Sequence, residues 1–311
     1  MKCLVTGGAG FIGSHIQDLL IENGHEVAVL DNLSAGKKEN LNPKSTFFQA
    51  DIKSPEEVEN VFSTFAPDVV FHLAAQTSVP YSMDHQHEDM ETNVWGSMNV
   101  FLTAAKHNVK KIIYTNTGGA YYGDVPDSAL PIKEDYPVLF PTSFYGVSKY
   151  TAEQYLRLVH NVYKTPIVAL RYANVYGPRQ EGNHEAGIIA IFLKKLLHGE
   201  PCTINGDGSH SRDYVCVLDV AKANLKAMEY ETETDYFNIA TGVETSNKQV
   251  YELLAKSLGV TTPATFGPAR AGDTMRNCLS IEKAKEKLSW SPEYDLEKGV
   301  AITAEFYKKQ K

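Results

Sequence analysis

Along the first 175 positions the apolar residues gather into short unbroken runs instead of alternating with polar ones. "KCLVTG", "EVAVLD", "TFFQAD", "DVVFHLAA", "KKIIYTN" and "PIVALRY" follow one another in this way. A strand that is hydrophobic at successive positions has both faces covered, the habit of parallel strands flanked by helices. Between the runs the spacing changes. Ile12, Ile16, Leu19 and Leu20 recur at three and four residues, which places them on one side of a helix. Strand and helix in alternation predict an α/β fold built on a doubly wound parallel sheet. Beyond "RYANVYGPRQ" the pattern loosens into helices and short strands, and no repeat or Pro/Ser-rich linker marks a boundary.

The loop after the first run, "TGGAGFIGSH", sets Gly7, Gly10 and Gly13 at intervals of three, with Phe11 and Ile12 between them. Glycines there let the backbone approach a pyrophosphate, and the helix that follows turns its unpaired N–H groups toward the anion. Asp31 closes the second run about 20 residues on, where a carboxylate grips a ribose diol and repels a 2′-phosphate. NAD is therefore expected over NADP, in a Rossmann-type domain. Asp51 and Ile52, after the third run, stand where they would flank the adenine. Helix capping is the alternative for Asp51, although "Ser54-Pro55-Glu56-Glu57" already starts the next helix well. "HLAAQTSV", with Leu73, Ala74 and Ala75, brings backbone against the cofactor's phosphates and ribose.

"FYGVSKY" places Tyr145 and Lys149 four residues apart, on one face of a helix. An ammonium beside a phenol stabilises the phenolate, and an oxidised nicotinamide would add to that, so the tyrosine pKa is expected to fall toward neutrality and yield a base. Among 17 tyrosines a chance match of this kind is unsurprising; Tyr307 and Lys311 repeat the spacing at the chain end, where it reads as decoration. "MDHQHEDME" carries His85 and His87 at metal-like spacing, but it opens a helix and reads as a solvated cap, so no metal is expected.

Composition narrows the classes. The formal charge of −8 over 311 residues gives no basic face for nucleic acid or an anionic membrane. Cys3, Cys202, Cys216 and Cys278 are scattered and read as buried thiols. The first residues enter a strand at once, with no signal peptide expected, no apolar run is long enough to span a bilayer, and the cytoplasm is the expected compartment.

"TGGAGFIG", "HLAAQ", the turn ending in "YYG", "YGVSK" and "RYANVYGPRQ" together resemble the extended short-chain dehydrogenase/reductases, specifically the NAD-dependent epimerase/dehydratase family of nucleotide-sugar enzymes. The resemblance continues through "GDGSHSRDYVCVLDVAKA" and "FNIATG" to "RAGDTMRNCLSIEKAKEKLSWSP". It implies NAD-dependent inversion of carbon 4 of a UDP-hexose through a 4-keto sugar. The rivals are inversion of another NDP-sugar, such as a UDP-uronic acid, and a non-catalytic NAD-sensing regulator.

The resemblance also implies roles. Asn32, Asn93, Thr115 and Tyr172 join the cofactor site, and Lys149 grips the nicotinamide ribose. Ser78 joins the substrate site, Asn174, Gly187 and Ile188 meet the diphosphate, and Thr203 and Asn205 lie along uracil. Arg212 and Arg270 clamp the diphosphate while Asp273 holds the uridine ribose. Residues 1–175, with returning segments about 213–240, would form the NAD domain, and 176–311 the substrate domain. Helices near 89–107 and 144–162 would pair two copies into a homodimer.

The family's usual Ser or Thr, counted back from Gly123, falls on Gly118. Thr117 is expected to replace it, re-aimed by unusual backbone angles at Gly118 and Gly119. No acid stands at Gly118, Gly119 or Ala120 where the family's dehydratases carry one, which argues against elimination. Asn277 occupies a place where a bulky Tyr restricts some members to unsubstituted hexoses, so an N-acetyl group is expected to fit.

Overall fold

The computed structural model describes residues 1–138, 141–181, 187–268 and 275–309. The six apolar runs are strands: β1 (Lys2–Thr6), β2 (Glu26–Asp31), β3 (Thr46–Gln49), β4 (Val69–His72), β5 (Lys111–Thr117) and β6 (Ile167–Tyr172). Together with the strand Thr234–Ile239 they form one seven-stranded sheet, ordered β3, β2, β1, β4, β5, β6 and then Thr234–Ile239. Every pairing in it is parallel. The chain winds outward in one direction from β1 and in the other from β4. Between these two strands lies the switch point, outside whose carboxyl ends ligands bind in such sheets.

Six helices of the first half matter for the site: α1 (Phe11–Glu22), α2 (Pro55–Phe65), α3 (Val79–Asp84), α4 (Gln86–Met90), α5 (Ser97–Lys106) and α6 (Phe144–Tyr163). A π-helical turn, Glu91–Gly96, joins α4 to α5. The unbroken hydrophobicity of the strands has a direct consequence. Leu4, Val70 and Ile112 pack with Phe62, Phe101 and Leu156 of α2, α5 and α6 on one face. On the other, Val5, Phe71 and Ile113 pack with Ile16 and Leu20 of α1 and with Val220 and Ala223 of the helix Val217–Glu229. Each such fully buried side chain contributes about 1.5–3 kcal/mol relative to exposure, so neither face tolerates the polar alternation of a half-exposed sheet.

A third core gathers Tyr176, Phe192, Leu193, Tyr251, Leu254 and Val300 between the helices Ile188–Leu197, Asn247–Leu258 and Leu296–Lys309. Among the described residues no helix is long and apolar enough to cross a membrane.

Candidate active site

The β1–α1 turn is shaped by what its glycines lack. Gly7 has φ of +70°, and a Cβ there would lie 2.7 Å from the Ala74 amide nitrogen in the loop after β4. At Gly13 it would lie 2.4 Å from the Gly7 carbonyl oxygen. The first turn of α1, with Phe11 and Ile12, therefore rests directly on the loop, and the Gly10 N–H donates to the Gly7 carbonyl at 3.1 Å. Such a backbone-walled cradle at a helix N-terminus fits a pyrophosphate.

Asp31, at the end of β2, is 7% exposed and tied to the same turn. One carboxylate oxygen accepts from the Ala9 N–H at 3.0 Å and the other from the Leu33 N–H at 2.8 Å. Burial pushes its pKa up, and those two donors offset part of the rise. Asn32 donates to Asp51 at 3.1 Å. The helix α2 is capped by Ser54, whose hydroxyl accepts from the Glu57 N–H, so capping does not occupy Asp51. Ile52 is buried against Gly96. The Leu73 N–H is shared between the Thr6 carbonyl at 3.1 Å and the Thr6 hydroxyl at 3.2 Å, and the Ala74 N–H donates to that hydroxyl as well. The Asn93 amide is engaged with the Gln76 backbone and Asp89, and the Tyr172 hydroxyl sits between Thr115 at 3.1 Å and Asn224 at 2.7 Å.

Ser143 starts α6 by accepting from the Gly146 N–H at 3.1 Å. A Cβ on Gly146 would stand 2.6 Å from the Ala120 carbonyl oxygen, so the helix end sits on the turn that follows β5. This contact delivers Tyr145 to Thr117, whose side chain lies close enough to the phenol to lower its pKa. Thr117 also accepts from the Ala120 N–H at 3.2 Å. Lys149 is 2% exposed, with Nζ 4.3 Å from the centre of the Tyr114 ring.

The charge states differ from the expectation. Burial raises the Tyr145 pKa, Asp89 raises it further, and only the Thr117 side chain opposes them. Burial lowers Lys149 to about 7, against the pull of Asp89 and Glu153. Helical spacing puts the two side chains on one face, but desolvation outweighs a neighbour's charge when that neighbour is itself half-neutralised.

Gly118 and Gly119 depart from the expectation as well. Neither has φ in the left-handed range. Gly118 is small because a Cβ there would stand 2.3 Å from the Leu279 side chain, which leaves no room for the hydroxyl the family usually carries. Thr117 shares an open space with Asn174: a Cβ on Gly119 would lie 3.8 Å from a side-chain oxygen of each.

Asn174 Nδ2 is buried and has no partner among the described residues. Ser78 caps α3, accepting from the Tyr81 N–H at 3.1 Å. Gly187 is the N-cap of the helix that starts at Ile188. Thr203 pairs its hydroxyl with Thr265 at 3.0 Å, and Asn205 stands beside Gly267. Arg212 donates to the Ser211 carbonyl at 2.8 Å and, among the described residues, has no carboxylate within ion-pair distance. Arg270 and Asp273 lie outside the described residues. Tyr307, the decoy, donates its hydroxyl to the Gln180 carbonyl, and His85 and His87 are exposed. Sequence reasoning gave no role to Asp89, which sits in a polar stretch, or to Gln76 and Ser148, which lie inside "HLAAQ" and "YGVSK" without chemistry of their own attached.

Residues 3–240 match the NAD dependent epimerase/dehydratase family. The UDP-glucose 4-epimerase of Mycolicibacterium smegmatis is 41% identical over 313 residues, covering 99% of this chain and 99% of that protein. The structure of UDP-glucose 4-epimerase from Thermotoga maritima with UDP-glucose matches with a TM-score of 0.97 at 46% identity, over 100% of this chain and 99% of that one. For the Thermus thermophilus UDP-glucose 4-epimerase in complex with NAD the TM-score is 0.93 at 39% identity, over 99% of each chain. With a family match across more than half its length, and a glycine cradle and Tyr-Lys helix to suit, the chain belongs to the NAD dependent epimerase/dehydratase family.

Proposed function

We propose that the protein is an NAD-dependent epimerase that inverts carbon 4 of a UDP-hexose through a 4-keto sugar. The observation that carries this reading is the Tyr145 phenol set beside the Thr117 side chain, on the helix of a buried Lys149. The Gly7, Gly10 and Gly13 cradle, with Phe11 and Ile12, would hold the pyrophosphate of NAD. Asp31 and Asn32 would hold the adenosine ribose, Asp51 and Ile52 the adenine, and Leu73, Ala74, Ala75, Asn93, Thr115 and Tyr172 the remainder. Bound there, NAD supplies reversible hydride exchange with carbon 4 and, in its oxidised form, a positive charge.

The chain's own groups handle the proton. Thr117 orients the 4-hydroxyl toward Tyr145, whose oxygen takes the proton and, after the sugar has turned over, returns it to the oxygen on carbon 4. A phenol that burial keeps protonated ionises only where nearby positive charge stabilises the phenolate, its own proton leaving to solvent before the sugar's is taken, so the Lys149 ammonium is required in the charged form. The sugar must turn over between the two half-reactions without leaving. Anchoring of the nucleotide by Asn174, Gly187, Ile188, Arg212 and Arg270, with Ser78, Thr203, Asn205 and Asp273 around sugar and uridine, allows that. In this reading residues 1–175 with 213–240 carry NAD, and 176–311 carry the nucleotide sugar.

The test is direct. Purified protein mixed with UDP-glucose is expected to yield UDP-galactose and a transient reduced-nicotinamide absorbance; no interconversion by protein holding NAD would refute the reading. Asn277 is buried, donates to the Gly118 carbonyl at 3.3 Å and has no partner for Oδ1 among the described residues, so it offers an acceptor to an acetamido N–H. UDP-N-acetylglucosamine is accordingly expected to turn over too, and its complete rejection would remove that part.

The same reading includes a homodimer. Val147, Tyr155, Leu158 and Val162 of α6 are exposed, as are Met90 and Trp95 on the neighbouring helical segment. An apolar face of this kind suits a two-fold contact. Light scattering is expected to give twice the 34.4 kDa chain mass, and a monomer at micromolar concentration would contradict it. A cytoplasmic location is supported by four buried, unpaired cysteines.

A further inference from the structure

Asp89 is fully buried, although it stands in the polar run "HQHEDMET". Ser148, the residue before Lys149, donates its hydroxyl to one carboxylate oxygen at 2.5 Å. Gln76 donates to the other at 2.8 Å and Asn93 at 3.0 Å. All three donors are neutral, and among the described residues no cation lies within ion-pair distance of this carboxylate. A buried negative charge held only by neutral groups is costly to keep, and it acts over a long range in a dry interior.

The groups around the Tyr145–Lys149 pair come from four elements. β4 contributes His72, which burial lowers to about 3; it is neutral, bonded to Thr6 at 2.7 Å and Ser97 at 2.9 Å. β5 contributes Thr117 and Tyr114, the latter a buried phenol raised well above its ordinary value. α6 itself contributes Glu153, whose carboxylate is bonded to Arg171 and Arg157. α4 contributes Asp89. Of the two negative charges, Glu153 is neutralised by its arginines and Asp89 is not.

We propose that Asp89 is the positioning residue and counter-charge of the catalytic pair: through Ser148 it fixes the helical turn bearing Lys149, and its negative charge opposes loss of the Lys149 proton. This rests on the reading of Tyr145 and Lys149 as the catalytic pair. Asp89 touches neither substrate nor cofactor in this role and acts through Lys149.

Asp89→Asn is close to isosteric. Its oxygen still accepts from Gln76 and Asn93, and its amide faces the Ser148 oxygen, which accepts in turn. Removing the negative charge favours loss of the proton from both the ammonium and the phenol, so both pKa values fall. The first readout is an NMR titration of lysine-labelled protein, the Lys149 signal being assigned by its loss in Lys149→Met. The Lys149 midpoint is expected to drop by about one pH unit; an unchanged midpoint overturns the proposal. The second readout is the pH profile of epimerisation, expected to move toward acid on both limbs. A profile that loses height without moving shows a merely structural role and also overturns it. Ser148→Ala removes the hydrogen bond but keeps the charge, and its profile is expected to stay in place. If Asp89→Asn does not fold, Asp89→Ser is taken through the same titration: a lowered Lys149 midpoint supports the proposal and an unchanged one overturns it. Absence of any epimerase activity would refute the parent reading, while the titration still decides Asp89.

Discussion

Replacing Tyr145 with Phe is expected to slow turnover by about 10³-fold, within the range that a positioned acid–base group contributes, while fold and bound dinucleotide are kept. The ring stays where it is, because the substitution deletes one oxygen and fills no new space. That oxygen has the Thr117 side chain beside it, which lowers its pKa. Thr117 retains the Ala120 N–H as a partner, so the loss in stability is about 1 kcal/mol. The effect on catalysis is of another size, since the oxygen that receives the 4-hydroxyl proton is removed. His72 offers no substitute, because both its ring nitrogens are committed to Thr6 and Ser97. The measurement is kcat for UDP-glucose beside a thermal melt and a count of NAD per chain. Turnover within tenfold of the parent would remove Tyr145 from the mechanism.

The sheet was readable in advance because parallel strands are buried on both sides, and burial writes itself into the sequence as uninterrupted apolar runs. All six runs proved to be strands. The glycine turn was readable for a similar reason: its residues are dictated by backbone contacts within a few positions of each other. Features set by distant chain segments were not. The absent side chain at Gly118 is explained by Leu279, far along the chain, and no local pattern announces that contact. Asp89 is hidden differently. Its neighbours from Met83 to Glu88 are exposed, so the run reads as solvated, yet this one position turns inward just before a π-helical turn, a local irregularity frequent at functional sites. The Tyr145–Lys149 spacing told which face the pair shares but not how dry that face is. Their pKa values are set by dryness.

Glu153→Gln is expected to destabilise the protein by about 3–5 kcal/mol, the usual consequence of breaking a buried ion pair from one side. Glu153 and Arg171 are 1% and 2% exposed. One carboxylate oxygen accepts from Arg171 at 2.6 Å, Arg157 at 2.7 Å and Tyr121 at 3.0 Å. The other accepts from Arg171 at 3.1 Å and Asn116 at 2.7 Å. Arg171 in turn reaches the Tyr122 hydroxyl at 2.8 Å and the Glu134 carbonyl at 3.1 Å. The cluster thus pins α6 to β6 and to the turn after β5, the three pieces that set Tyr145 against Thr117. A glutamine can replace either oxygen but not both, and its amide then confronts the donors at the other. Burial by itself would raise the Glu153 pKa, yet Arg171, Arg157 and Asn116 hold it below its ordinary value of 4.5. A folded-state value below the unfolded one means that the unfolded chain takes up this proton first. The stabilisation is therefore complete above pH 4.5 and is lost as the pH falls through the lower, folded value. Chemical denaturation at neutral pH should show the full difference between the two proteins. In acid the gap should narrow, because the parent loses what the variant never had. A variant equal to the parent at neutral pH, or a gap that widens toward acid, would mean that this pair does not hold the catalytic helix in place.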